Sequence, residues 1–330
     1  MSPANNASQR TEPSSAGLLL RILWIALGAV LLAAIVSPWI YFFAQFALPV
    51  LHGFPFRRFF SRSAQVILLV GLLPLLLHWR RFSLSRLGLE RNPLARRDFF
   101  GGFLAALLPA VVVAGIWIAC DVYRPRKDLS WLPLARVFLT AGVVSLLEEF
   151  LFRGILLGLA VQAWGRLRGV LVTTVVFAAV HFLHPPKVDV PVVTWASGFD
   201  QIAAIFRTLP DGRLTVLGFA TLLMAGGILA VVTVRTRSLW AAIGLHAGWI
   251  LAQQSLNWLA KFRPRPPEAL LPWVGPSLVS GAVPTGLVSL AALGITLALL
   301  VLVVRPRPRC PSDPPTEEGA DRSPGSRDVQ

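Results

Sequence analysis

Two adjacent glutamates, Glu148 and Glu149, lie inside a long apolar stretch, and Arg153 follows within the next turn and a half. Carboxylates at membrane depth are costly and are retained there mainly for chemistry or ion transfer. The chain has 16 acidic residues, and only these two fall well inside a hydrophobic run. Asp98 and Asp121 mark the edges of other runs. On a helix Glu149 and Arg153 are i and i+4 with the acid first, the favourable order for an ion pair. Glu148 is rotated by about 100° and lacks that partner. The spacing predicts a paired Glu149 and a Glu148 left to act as a base. A buried ion group that only holds helices together is the competing reading.

Further polar groups favour chemistry. The chain has five histidines. His52 and His78 sit at span edges, whereas His181, His184 and His246 lie in or at the end of later apolar runs. At about 1.5 Å of rise per residue, Glu148, His181 and His246 fall in one broad central layer on three different helices. One carboxylate and two imidazoles can position and deprotonate a water, either directly or through a bound metal. A proton- or ion-coupled transporter would use similar groups. No inverted repeat or pair of broken helices supports that alternative.

Three motifs occur in order: Glu-Glu-x-x-x-Arg at 148–153, Phe-x-x-x-His at 177–181, and a late His on Ser-Leu-Trp-Ala-Ala-Ile-Gly-Leu-His, ending at His246. Together they resemble the CPBP family (CAAX protease and bacteriocin-processing, or Abi) of intramembrane endopeptidases, over about residues 136–260. The resemblance implies a helical bundle around a polar cavity and hydrolysis of a peptide bond in a membrane-associated protein or peptide. Carried over, Glu148 activates the water, Glu149 and Arg153 support it, His181 acts beside Glu148, and His246 stabilises the oxyanion or helps hold the water. The family is often labelled metallopeptidase. Glu148, His181 and His246 would be the ligands of a divalent metal such as zinc, and a metal-free glutamate–histidine pair is the other option. The family's usual Asn or Asp four residues after the last His is Ile250 here. Gln253 and Asn257 share the His246 helical face and, with His184, are candidate substitutes. Ile250 also keeps open a catalytically weakened member acting as a scaffold or immunity factor. The resemblance further implies an integral protein of the bacterial inner (plasma) membrane.

The elements that must position these groups are membrane helices. Hydrophobic residues make up 55% of the 330 and charged residues 14%, with a mean hydropathy of +0.65. Soluble domains are nearer a quarter charged. A span needs about 20 apolar residues, and the candidates are 17–49 (overlong, tilted or broken near Pro38), 63–79, 99–119, 136–161, 168–184, 214–234, 238–260 and 282–304. The expected fold is an all-α polytopic bundle of about eight spans. It comprises a polar tail at 1–16, a membrane domain at 17–304 with its motif-bearing core at 136–260, and a disordered tail at 305–330. Segment 199–209 reads as an amphipathic interfacial piece. The first apolar run is too long for a signal-peptide core and reads as a retained anchor.

The net charge of +15 is mostly arginine in clusters between the apolar runs. That pattern is juxtamembrane charge meeting anionic lipid, and no nucleic-acid partner is expected. Charge asymmetry between alternate loops slightly favours cytoplasmic termini. Cys120 and Cys310, the only cysteines, support neither a disulfide framework nor a thiolate metal site.

Overall fold

A computed structural model describes residues 14–78, 92–182, 192–207, 212–263, 275–279 and 283–304. Residues 1–13 of the expected N-terminal tail, the expected C-terminal tail, His184 and the arginines at 80, 81, 86, 305, 307 and 309 fall outside these residues, whereas Ser15 and Ala16 already belong to the first helix. Nine helices are described: α1 (Ser15–Ala47), α2 (Phe56–His78), α3 (Ala95–Ala119), α4 (Leu132–Glu149), α5 (Leu157–Phe182), α6 (Ser197–Arg207), α7 (Gly212–Thr236), α8 (Trp240–Leu259) and α9 (Leu287–Val303). A π turn, Phe150–Leu156, joins α4 to α5. Among the described residues, α1, α3, most of α2 and most of α7 are long and apolar enough to cross a membrane. The helix α9 is apolar but has 17 residues. Large apolar side chains such as Trp24, Phe46, Val70 and Val112 stand exposed on the outer helices, as lipid contact requires.

Several boundaries differ from the expectation. The helix α1 is not broken at Pro38 but runs through it for 33 residues, about 50 Å. Proline removes the N–H that would bond the carbonyl four residues back, on Ala34. That carbonyl is buried under α6, where Gly198 packs so closely that any side chain there would strike it. The amphipathic segment is helical, as α6, and lies on α1 with Gln201 and Ile205 buried. The second helix begins at Phe56, ahead of 63, because Arg57, Arg58 and Arg62 continue its N-terminal turns; arginine is a good helix former. At 282–304 the helix starts only at Leu287, after strand β4 (Val283–Thr285) paired with β3 (Gly275–Val279). A second antiparallel ladder joins β1 (Tyr123–Pro125) to β2 (Ala260–Phe262). These short ladders sit on an otherwise helical protein.

Within α5 the chain reverses at Gly165, whose φ of 79° and ψ of 171° suit glycine almost alone. Gly169 then lies against the backbone of Ala160 and Val161. The break falls between the sequence-derived spans 136–161 and 168–184 and makes them a tight hairpin.

Among the described helices, α3 and α8 share the most extensive contact. Gly102 meets the backbone of Ala241, Gly244 that of Phe99, and Gly248 that of Phe103. The two helices therefore run parallel. Small residues four apart let backbones approach closely, so Gly244 and Gly248, which flank His246, fix the depth of that side chain. Trp131 packs on Trp258 and Val137 near Leu251, so α4 runs antiparallel to α8.

Candidate active site

The glutamate pair ends α4, and the π turn begins at the next residue. Single π turns widen a helix and recur at functional sites. Here Arg153 lies inside the widened turn, fully buried, with Nη1 donating to Glu149 Oε1 at 3.2 Å. Its Nη2 donates to the Gly226 carbonyl of α7 at 3.3 Å. The predicted Glu149–Arg153 pair is therefore present, and it is also tied to a third helix. Breaking one partner of a buried pair leaves an uncompensated charge.

Glu149 does more than pair. Its Oε1 also accepts from His246 Nδ1 at 2.7 Å. A carboxylate on one ring nitrogen fixes the tautomer and aims the other nitrogen. His181 is anchored similarly, with Nδ1 at 2.7 Å from the Phe177 carbonyl one turn back. In the neutral form each imidazole then presents a lone pair on Nε2. Those atoms stand 3.8 Å (His181) and 3.9 Å (His246) from Glu148 Oε2. Glu148 is half-buried, and its Oε2 is a buried oxygen with no hydrogen-bond partner among the described residues. Three acceptors converge on one point. The separations are too long for direct hydrogen bonds and leave room for a small bridging group such as a water.

Phe177 holds the layer together. The Arg153 guanidinium lies 4.2 Å from its ring centre, the His181 ring 4.3 Å away, and the His246 ring 6.3 Å away at a steep angle. A cation over an aromatic face in a dry site is favourable. Gly226 permits this, because a Cβ there would press on the Phe177 ring at 2.9 Å.

Two histidines and a glutamate are a recognised zinc set. With bonds of about 2.0–2.2 Å, tetrahedral donors stand about 3.4 Å apart, closer than the distances here. Among the described residues no group of three or more His, Cys, Asp or Glu side chains is set to hold a metal. The arrangement as it stands is too wide for tetrahedral zinc.

The layer opens into a cavity of about 310 Å³ between α3, α4, α5, α7, α8 and α9. Its walls are mainly apolar. Ile250 lines it, packed near Val137 and Ala141 of α4, so an apolar group faces the cavity where the resembled family carries Asn or Asp. Gln253 also lines it, with Gln254; Asn257 is not among the lining residues, and its carbonyl accepts from Arg126 at the helix end.

Three features escaped the sequence reading. The Glu149–His246 bond crosses 97 positions and has no local signature. Gly226 carries no side chain to signal its two roles, accepting from Arg153 and leaving room for the Phe177 ring. The Gly-x-x-x-Gly spacing at 244–248 was a usable signal for close helix contact.

Comparison with curated proteins and with solved structures finds no match. Residues 130–252 match the family model described as Rce1-like, type II CAAX prenyl endopeptidase Rce1-like. The matched residues contain Glu148, Glu149, Arg153, His181 and His246, and they support membership of this chain in the CAAX protease family.

Proposed function

We propose that this protein is an intramembrane endopeptidase that hydrolyses a peptide bond of a membrane-associated protein or peptide with water activated by Glu148. The observation that carries this reading is the convergence of Glu148 Oε2 with two anchored imidazoles at 3.8 and 3.9 Å, beside an apolar cavity. Water supplies two protons to three acceptors. A third proton, on the imidazole of His246, completes the set and gives an N–H for the developing oxyanion. The water oxygen attacks the scissile carbonyl carbon while Glu148 takes a proton and His181 holds the other. The tetrahedral adduct collapses, the C–N bond breaks, and the proton held by Glu148 passes to the leaving nitrogen. The products are an amine and a carboxylic acid, whose remaining proton passes to His181 and on to solvent, leaving a carboxylate. Glu149 keeps His246 in register, and Arg153 offsets the charge of Glu149.

Glu148→Ala should lower turnover by about 10²–10⁴-fold, the usual worth of a general base, while the protein inserts and purifies normally. The measurement is cleavage in liposomes, followed by proteomic comparison of membranes carrying each form. An alanine variant that cuts at the wild-type rate refutes the assignment.

A catalytically weakened member is the second reading, and the apolar Ile250 on the cavity wall favours it. Its mark would be wild-type protein that binds membrane peptides without cutting them.

A further inference from the structure

The far part of the same cavity has a different chemistry. Trp117, near the end of α3, Gln253, on α8, and Ser289, at the start of α9, all line it. They are 4%, 7% and 6% exposed. Trp117 Nε1, Gln253 Nε2 and Ser289 Oγ are each buried without a hydrogen-bond partner among the described residues. Gln253 approaches the Tyr123 hydroxyl closely enough to offset part of the burial effect that pushes the Tyr123 phenol up, but the amide nitrogen makes no hydrogen bond of good geometry. Buried donors without partners are rare in native proteins and call for an explanation. Three on one cavity wall point to an occupant.

The donors define its chemistry. Indole N–H donates only, an amide NH₂ donates twice, and a hydroxyl can donate. The occupant is therefore an acceptor. Among the described residues no Lys or Arg lines the cavity, and a carboxylate without a cation is costly in such surroundings. A neutral carbonyl oxygen suits the site. The seven residues of α8 from His246 to Gln253 correspond to about 10 Å, roughly three residues of extended peptide at about 3.3 Å each. The same distance makes Gln253 a poor donor to an oxyanion held beside Glu148.

We infer that Trp117, Gln253 and Ser289 form a substrate subsite that hydrogen-bonds a main-chain carbonyl about three residues from the scissile bond. This rests on the proposed cleavage, yet none of the three residues lies within the 130–252 segment that matches the family model. They set how far the substrate enters. They do not take part in bond breaking.

The test uses full-length protein in liposomes and a terminally blocked ten-residue Leu/Ala peptide, with each carbonyl replaced in turn by a methylene. Affinity is read on the non-cutting Glu148→Ala background, and KM and kcat on the wild-type background. Gln253→Leu and Trp117→Phe should each weaken binding of the all-amide peptide about tenfold, and Ser289→Ala less. KM should rise with kcat little changed, the sign of an interaction made equally in ground and transition states. With the methylene at one position, three residues from the cut, these losses should vanish. Equal losses for every peptide would mean a packing effect and overturn the subsite, as would no loss at all. A fall in kcat at unchanged affinity would make Gln253 an oxyanion donor and also overturn it. Carbonyl-specific binding without any cleavage would sink the protease reading and leave the subsite standing. Cleavage with binding indifferent to these residues would do the reverse.

Discussion

At the Glu148 layer, Glu149, Arg153 and His246 are bonded to one another across three helices, and the Nε2 atoms of His181 and His246 both stand close to Glu148 Oε2. At the Trp117 end, three residues line the same cavity, and one polar atom of each is buried without a hydrogen-bond partner among the described residues. In the first region the charged groups are tied to one another, although Glu148 Oε2, Glu149 Oε2 and Arg153 Nε are buried without a hydrogen-bond partner among the described residues. The second is satisfied only when something enters. A paired network holds reacting groups at fixed distances, whereas unpaired donors select what binds, because a ligand lacking the acceptor leaves them buried and unmet. The comparison predicts that substitutions at the two ends fail differently. The bonded group of Glu149, Arg153 and His246 should lose folding and chemistry together, and the donor end affinity alone.

The largest effect that would sharpen this contrast is at Arg153. Arg153→Ala removes the cation from a fully buried pair and frees the Gly226 carbonyl and the Phe177 face. Loss of one partner of a buried pair costs about 3–5 kcal/mol in soluble interiors. Folded yield in detergent and turnover should both fall. Wild-type thermal stability for this variant would show that the network is not structural and would erase the distinction between the two ends.

Ile250→Asn tests the boundary between the regions. Ile250 lies one turn beyond His246 and lines the cavity, so an amide there would sit nearer the reacting carbonyl than Gln253 does. One oxyanion donor is worth up to about 10²–10³ in rate. With His246 already in place, a rise in kcat of roughly tenfold is expected, at nearly unchanged KM. No rise would mean that the oxyanion is already fully served.

Much of the Glu148 layer was legible from residues alone. Rare polar types in apolar runs stand out, and i, i+4 spacing predicted the Glu149–Arg153 bond that the structure contains. The common depth of Glu148, His181 and His246 followed from counting residues, since helical rise is fixed. The π turn was not legible, because its extra residue per turn carries no composition signal. Pro38 read as a possible break because proline removes a hydrogen bond locally. In the structure α1 runs through Pro38, and the Ala34 carbonyl that loses its partner there is covered by α6, more than 150 residues away. The donor end was hidden for a related reason: tryptophan, glutamine and serine near span ends are ordinary interfacial residues. Only the fold shows that Trp117 and Ser289 share a cavity wall with Gln253. Ile250 was legible as a departure, and its side chain does reach the cavity.

The smallest expected effect concerns what borders the donor end. Asp121 follows α3 with a φ of 56°, a left-handed backbone that Asp and Asn both tolerate. Its carboxylate accepts two bonds from Arg124, at 2.8 and 3.0 Å, and one from Arg263 at 2.9 Å beyond β2. The Arg124 hydrogen bonds hold the Asp121 carboxyl below the usual carboxylate range, with the charge of both arginines adding to this. A depressed carboxylate contributes stability that is present above its unfolded value, near pH 4, and lost as pH falls through the folded one. The group is solvent-exposed, so the contribution is small and screened by salt. Asp121→Asn keeps the backbone preference and removes only the charge. It should leave the pH 7 melting temperature and peptide affinity nearly unchanged, and abolish only a slight destabilisation that sets in as the pH falls below about 4. A large loss of peptide affinity would mean that the β1–β2 border positions Tyr123 and Gln253 through this ion pair. The donor end would then be as tightly networked as the glutamate end, and the contrast between them would fail.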